Sequence, residues 1–209
     1  MSSIAADRPA EQAATSKTIQ PGWVRVVHWI NAVAMVLMMM SGWQIYNASP
    51  LFNFKFSSSI TLGGWLGGAL QWHFAAMWLL MVNGLAYLVL GLVTGRFRKK
   101  LLPITASGVV DDTKAALTGK LSHADLSTYN YVQKLLYAGI IVVGILIVLS
   151  GLSIWKPVQL QWLTALFGGY EVARYVHFFC MAAIVGFMAI HVALALLVPK
   201  SLRAMIIGR

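Results

Sequence analysis

The chain has 209 residues, 59% hydrophobic and 11% charged, with a mean hydropathy of +0.73 and a formal net charge of +10. A soluble domain typically holds about 45–50% apolar residues, so the composition excludes one and defines an integral membrane protein, all-α from the length of its apolar runs. The positive charge does not imply a nucleic-acid partner, because the basic residues cluster in loops beside apolar spans, where they report topology.

Residues 1–20, MSSIAADRPAEQAATSKTIQ, are polar and lack the apolar core of a signal peptide; they read as a disordered cytoplasmic tail ahead of one four-helix domain, residues 21–200. The first span covers residues 24–46 and begins PGWVRVVHW, which puts His28 close to its first end. Residues 47–68, rich in Ser, Gly, Phe and Trp, form an interfacial segment suited to docking. The second span, 69–94, has His73 near its start and stops at the basic run GRFRKK. A polar connection, 101–128, carries His123, which reads as a solvated loop residue. The third span, 132–155, is introduced by YNYVQK and followed by KPVQLQWLTALFGGYE, whose aromatic residues suit an interface belt. The fourth, 174–199, contains His177 and His191 and precedes a basic cytoplasmic tail, 201–209.

With both termini and the 101–128 connection on one side, 13 Lys and Arg residues fall there and only Lys55, Lys156 and Arg174 opposite. The positive-inside rule therefore predicts a four-transmembrane-helix bundle with both termini cytoplasmic. Depths follow. The first span runs outward, so His28 is near the inner face; the second runs inward, so His73 is near the outer face. His177 and His191 are 14 residues apart, nearly four helical turns, which sets them on one face about 21 Å apart. The chain thus offers an inner pair, His28 with His191, and an outer pair, His73 with His177. A single histidine in an apolar helix is more often satisfied by a neighbouring hydroxyl or carbonyl; four matched in depth point to ligation, because polar groups in a membrane are costly and usually functional.

No Asp or Glu lies inside the spans, which argues against zinc sites completed by carboxylates, di-iron carboxylate bundles and proton relays on buried acids. Two axial imidazoles suffice for a b-type haem, whose other four donors belong to the porphyrin. No CxxCH run exists for covalent attachment, and Cys180 and the ten methionines read as packing residues. Gly42 repeats the face of His28 at the outer level, and Gly84 and Gly91 repeat that of His73. Either they admit a flat macrocycle or they serve small-residue helix packing. Arg25 and Arg174 each precede a histidine by three residues, placed to meet haem propionates or to anchor the interface.

RVVHW at residues 25–29, His73, YNYVQK, and the RxxH of residues 174–177 followed by His191 together resemble the bacterial di-haem cytochrome b561 and nickel-hydrogenase cytochrome b family. That family includes membrane subunits of formate dehydrogenase, hydrogenase and thiosulfate-reductase-like complexes. The resemblance spans about residues 22–199 and implies a four-helix bundle with two haem b groups, axial ligands His28, His191, His73 and His177, and quinone chemistry beside the inner haem. It makes Asn130 a quinone candidate, with Gln133, Lys134 and Tyr129 as neighbours. The alternative for Asn130 is a helix cap. The expected function is electron transfer across the inner membrane between a periplasmic redox subunit, such as a molybdopterin oxidoreductase or hydrogenase, and the quinone pool. A stand-alone quinone-linked enzyme such as a superoxide oxidase, and a haem-free scaffold or transporter, are the competing readings.

Overall fold

The structure is a computed structural model that describes residues 19–118 and 128–208; the tail before residue 19, His123 and Arg209 lie outside the described residues. Among the described residues eight α-helices follow in order: α1 Gly22–Ala48, α2 Leu66–Val93, α3 Arg96–Leu101, α4 Ala106–Leu117, α5 Tyr131–Trp155, α6 Gln161–Leu166, α7 Tyr170–Leu197 and α8 Pro199–Ile207. A 3-10 turn, Ser58–Ile60, interrupts the α1–α2 loop, and no strand occurs among the described residues. Four helices, α1, α2, α5 and α7, are long and apolar enough to cross a membrane, at 27, 28, 25 and 28 residues. At a rise of 1.5 Å per residue each exceeds the hydrocarbon thickness of about 30 Å, so their ends reach the headgroup region.

Local sequence sets the helix limits. Asn130 and Gln133 form a capping box at the start of α5: Asn130 Oδ1 accepts from the Gln133 N–H at 2.8 Å, and Gln133 Oε1 accepts from the Asn130 N–H at 3.1 Å. Gly168 and Gly169, at φ of 85° and 105°, turn the chain into α7 through a region closed to most side chains. Pro199 ends α7 and opens α8, since its ring disfavours helix before it and suits the first helical position after it.

Helices α1 and α2 pack as one antiparallel pair and α5 and α7 as another; these are the closest contacts in the bundle. Within the first pair, buried Asn83 donates to the Val27 carbonyl at 2.8 Å and to Asn31 Oδ1 at 2.7 Å. The two pairs meet through side chains. Trp43 Nε1 donates to Met181 Sδ at 3.3 Å, Tyr46 lies on Phe178, and Phe74 lies on Trp155. On α5 the buried residues are Ser150 and Ser153, while Val142, Leu135 and Ile145 are exposed; elsewhere in the bundle the buried residues are mostly apolar, among them Val27, Ala34, Leu80 and Ile184. An exposed apolar surface of this kind is what lipid in place of water permits.

Among the described residues four short helices, α3, α4, α6 and α8, lie outside the spans. The basic run forms α3, and α4 sits within the polar connection and docks on α5, with Asp112 accepting from the Tyr131 N–H and Gly108 lying under the Tyr131 ring. The C-terminal segment, expected as a tail, is α8, strapped across the start of α1. Arg25 Nη1 donates to the Ile206 carbonyl at 2.9 Å, Trp29 Nε1 to the Met205 carbonyl at 3.2 Å, and the Ile19 N–H to the Gly208 carbonyl at 2.8 Å.

Candidate haem sites

The four histidines meet two by two. His28 of α1 lies beside His191 of α7 with ring centroids 6.0 Å apart, at the end of the bundle that carries residues 19 and 208. His73 of α2 lies beside His177 of α7 at 6.5 Å, towards the far end. The ring planes cross at 62° and 65°.

These separations bear on what the pairs can hold. An imidazole nitrogen sits about 2.0–2.1 Å from a bound first-row metal, and a ring centroid about 1.2 Å behind its nitrogen, so two imidazoles facing each other across one metal have centroids about 6.5 Å apart. The His73–His177 pair matches that separation and the His28–His191 pair is about half an ångström short of it. No group of three His, Cys, Asp or Glu residues with metal-binding spacing exists among the described residues. Each pair thus fits an iron whose four other donors come from a macrocycle. The residues present fit haem b.

At the far-end pair the imidazole tautomer is determined. The Ser150 hydroxyl donates to the Ile147 carbonyl at 3.1 Å, and His177 Nδ1 stands 3.0 Å from that same carbonyl and 3.1 Å from Ser150 Oγ. A carbonyl only accepts, so Nδ1 carries the proton and Nε2 presents a lone pair. On the other helix the Ser41 hydroxyl donates to the Leu37 carbonyl at 2.6 Å and leaves a lone pair to accept from His73 Nδ1 at 3.0 Å. Both serines are fully buried. The glycine after each serves the same rings. A Cβ on Gly42 would stand 3.4 Å from His73 Cε1, and one on Gly151 would stand 3.1 Å from His177 Cε1. Ser41, Ser150 and Gly151 were not anticipated from the sequence, because a serine in an apolar helix is commonplace and only its neighbour across the bundle gives it meaning.

The other pair is held differently. His191 stacks on Phe187 at 5.7 Å and 8°, and His28 meets Trp29 edge-on at 5.4 Å. Among the described residues no hydrogen bond reaches a ring nitrogen of either.

The remaining candidates have definite places. Gly42 lies against His73, as its depth implied. Gly91 instead lies under Phe97, where a Cβ would collide with the ring, so its small size serves α3 packing; Gly84 has open space around it. Arg174 donates to Glu171 Oε2 at 3.1 Å and to the carbonyl and hydroxyl of Ser49 at 2.6 and 3.1 Å, tying the ends of α1 and α7 together. Arg25 is turned to α8, with its Nε buried and without a hydrogen-bond partner among the described residues. Asn130 and Gln133 are engaged through their oxygens in the capping box, which leaves their amide nitrogens outside it. Tyr129 packs on Tyr137 and accepts from Gln20 Nε2 at 3.4 Å, and Lys134 lies over Tyr131.

A bundle of four apolar helices with half-buried imidazoles facing each other two by two has the architecture of a membrane-bound b-type cytochrome. Residues 19–208 match the family described as prokaryotic cytochrome b561, and the chain belongs to that family. Its members are haem-containing electron-transfer proteins of the membrane, and with its four apolar helices this chain is a multi-pass protein of the inner membrane. It is 56% identical over 190 residues, covering 91% of this chain and 96% of the other, to a protein of Azospira oryzae provisionally named protein-methionine-sulfoxide reductase subunit YedZ1.

Proposed function

We propose that this chain holds two haem b groups, one between His73 and His177 and one between His28 and His191, and carries electrons between a quinone at the termini end and a periplasmic redox subunit at the far end. The observation that carries the reading is the pair of facing-imidazole sites strung along α7, each with a ring separation within about half an ångström of what two imidazoles on one metal need. Bound there, haem b supplies a one-electron couple at each site. The protein's own part is to hold each imidazole in place, to exclude water from the interior, and to set the two sites at opposite membrane depths.

The charge count supports termini on the cytoplasmic side. Arg174, at the far end, and Arg25, with its buried unpaired Nε, are the cations nearest in sequence to the ligands and are assigned to the propionates. Quinone is assigned to the termini end near Asn130 and Gln133, whose amide nitrogens would donate to a quinone oxygen.

The similarity to a protein named as a methionine-sulfoxide reductase subunit moves the partner away from the formate dehydrogenases and hydrogenases first expected, towards a reductase of methionine sulfoxide. Its reaction takes two electrons and two protons, turning the S=O group into a thioether and water. One quinol, oxidised to quinone, supplies both electrons and releases two protons, so electrons flow outward through the bundle.

Purified in detergent, the chain should show b-type bands in a reduced-minus-oxidised spectrum. His177→Ala and His191→Ala should each lose about half the haem. Absence of b-type bands, or full haem retention by either variant, would refute the assignment. A quinol analogue should reduce the haems, and methionine sulfoxide with the partner reductase should reoxidise them.

A further inference from the structure

Residues 41–46 of α1 read SGWQIY and residues 150–155 of α5 read SGLSIW, the same pattern of Ser-Gly, two residues, Ile and an aromatic. In both copies the serine reaches a histidine Nδ1 on the packed neighbour helix, the glycine admits that ring, and a carbonyl three residues before the serine, Met38 or Ile147, faces the same imidazole. The histidines repeat too, since each is followed by phenylalanine: His73-Phe74 and His177-Phe178. The aromatic of each copy crosses to the opposite one. Tyr46 lies on Phe178 with centroids 5.3 Å apart, and Trp155 lies on Phe74 at 5.0 Å. Each far-end histidine is therefore gripped from its own pair by Ser-Gly and braced from the other pair through its following phenylalanine.

We propose that this duplicated Ser-Gly element is the positioning device of the far-end haem, with Ser41, Ser150, Gly42 and Gly151 acting through the ligands to fix their tautomer and raise their donor strength; the proposal rests on the His73–His177 pair being a haem site. A ligand imidazole whose other ring N–H is hydrogen-bonded is a stronger base, which favours ferric iron and lowers the haem potential. The device belongs to one site only. Under the same repeat, the α5 position corresponding to His28 is Tyr137 and the α2 position corresponding to His191 is Tyr87. The termini-end site thus breaks the symmetry that the far-end site keeps, and among the described residues its imidazoles have no such anchor. The asymmetry tunes one haem without touching the other.

The test is redox titration and low-temperature electron paramagnetic resonance on the purified haem-loaded chain. The double variant Ser41→Ala with Ser150→Ala should raise the far-end midpoint by about tenfold in the reduced-to-oxidised ratio at fixed potential, about 59 mV for one electron. Its ferric signal should change while the other haem's midpoint and signal stay put. Ser41→Thr alone, which keeps the hydroxyl beside an intact Ser150, should hold the wild-type midpoint. A double alanine variant with both haems at wild-type potential, or with both shifted equally, would overturn the proposal. Wild-type protein without b-type absorption would instead fail the haem assignment itself.

Discussion

Replacing Gly151 by alanine tests how tightly His177 is placed. The new Cβ would stand 3.1 Å from His177 Cε1 and 3.4 Å from Nδ1. Carbon atoms in contact settle about 3.5–4.0 Å apart, so the ring must retreat by at least about 0.4 Å. It cannot do so freely, because Nδ1 is held at 3.0 Å by the Ile147 carbonyl and at 3.1 Å by Ser150. Metal–ligand distances tolerate only about 0.2 Å, so the displacement falls on the ligand bond. Overpacking of this kind costs about 1–3 kcal/mol, which lowers haem affinity at that site by about 5- to 150-fold. Haem-to-protein ratio, measured on chain loaded at limiting haem, should fall towards half, with the remaining haem showing the spectrum of the His28–His191 site. Gly42→Ala is the internal control: its Cβ would meet His73 at 3.4 and 3.8 Å, nearly ordinary contact, so the loss should be small. Wild-type haem content in Gly151→Ala, or a larger loss in Gly42→Ala, would refute the reasoning.

Asn83→Leu removes two hydrogen bonds between α1 and α2 and leaves the Asn31 amide without its partner; at about 0.6–1.7 kcal/mol per interhelical bond in a membrane, it should lower the unfolding midpoint in a denaturing-detergent titration. Unchanged stability would mean the pair contributes nothing. Asn130→Ser keeps an oxygen for the α5 cap and loses the amide nitrogen, whereas Asn130→Ala loses the cap at about 1 kcal/mol. If Asn130 contacts quinone, quinol-driven haem reduction slows in both variants. If it is a cap alone, only the alanine variant loses stability and neither slows. Arg25→Ala frees α8 from α1, and amide exchange across Pro199–Ile207 should speed up; exchange at the wild-type rate would show that Trp29 and the Ile19–Gly208 bond suffice.

The spans were legible because a membrane demands about 20 apolar residues in a row, a signal that needs no partner to be read. Their ends were less so: α7 begins at Tyr170, four residues before the expected start, because the turn at Gly168 and Gly169 decides it. The grouping of His28 with His191 and of His73 with His177 could be reasoned from charge asymmetry and helix direction, which convert positions along the chain into depths. What depth cannot convey is which residue on a third helix meets an imidazole, so Ser41 and Ser150 stayed hidden although the SGxxI pattern occurs twice. Arg25 shows the same limit, since its partner is the backbone of Ile206 in a helix read as a tail. Asn130 left two readings open; its cap geometry is now explicit, and its amide nitrogen leaves the other one testable.

The strap that joins α8 to α1 has a mechanical meaning. Residues 19 and 208 are bonded to each other, so a force applied to the two chain ends loads the Ile19–Gly208 and Arg25–Ile206 bonds first. These few bonds would part at low load and release α8 by itself, while the α1–α2 and α5–α7 pairs, loaded only afterwards, remain seated. A pulling trace should therefore begin with one short, weak extension before any span leaves the membrane.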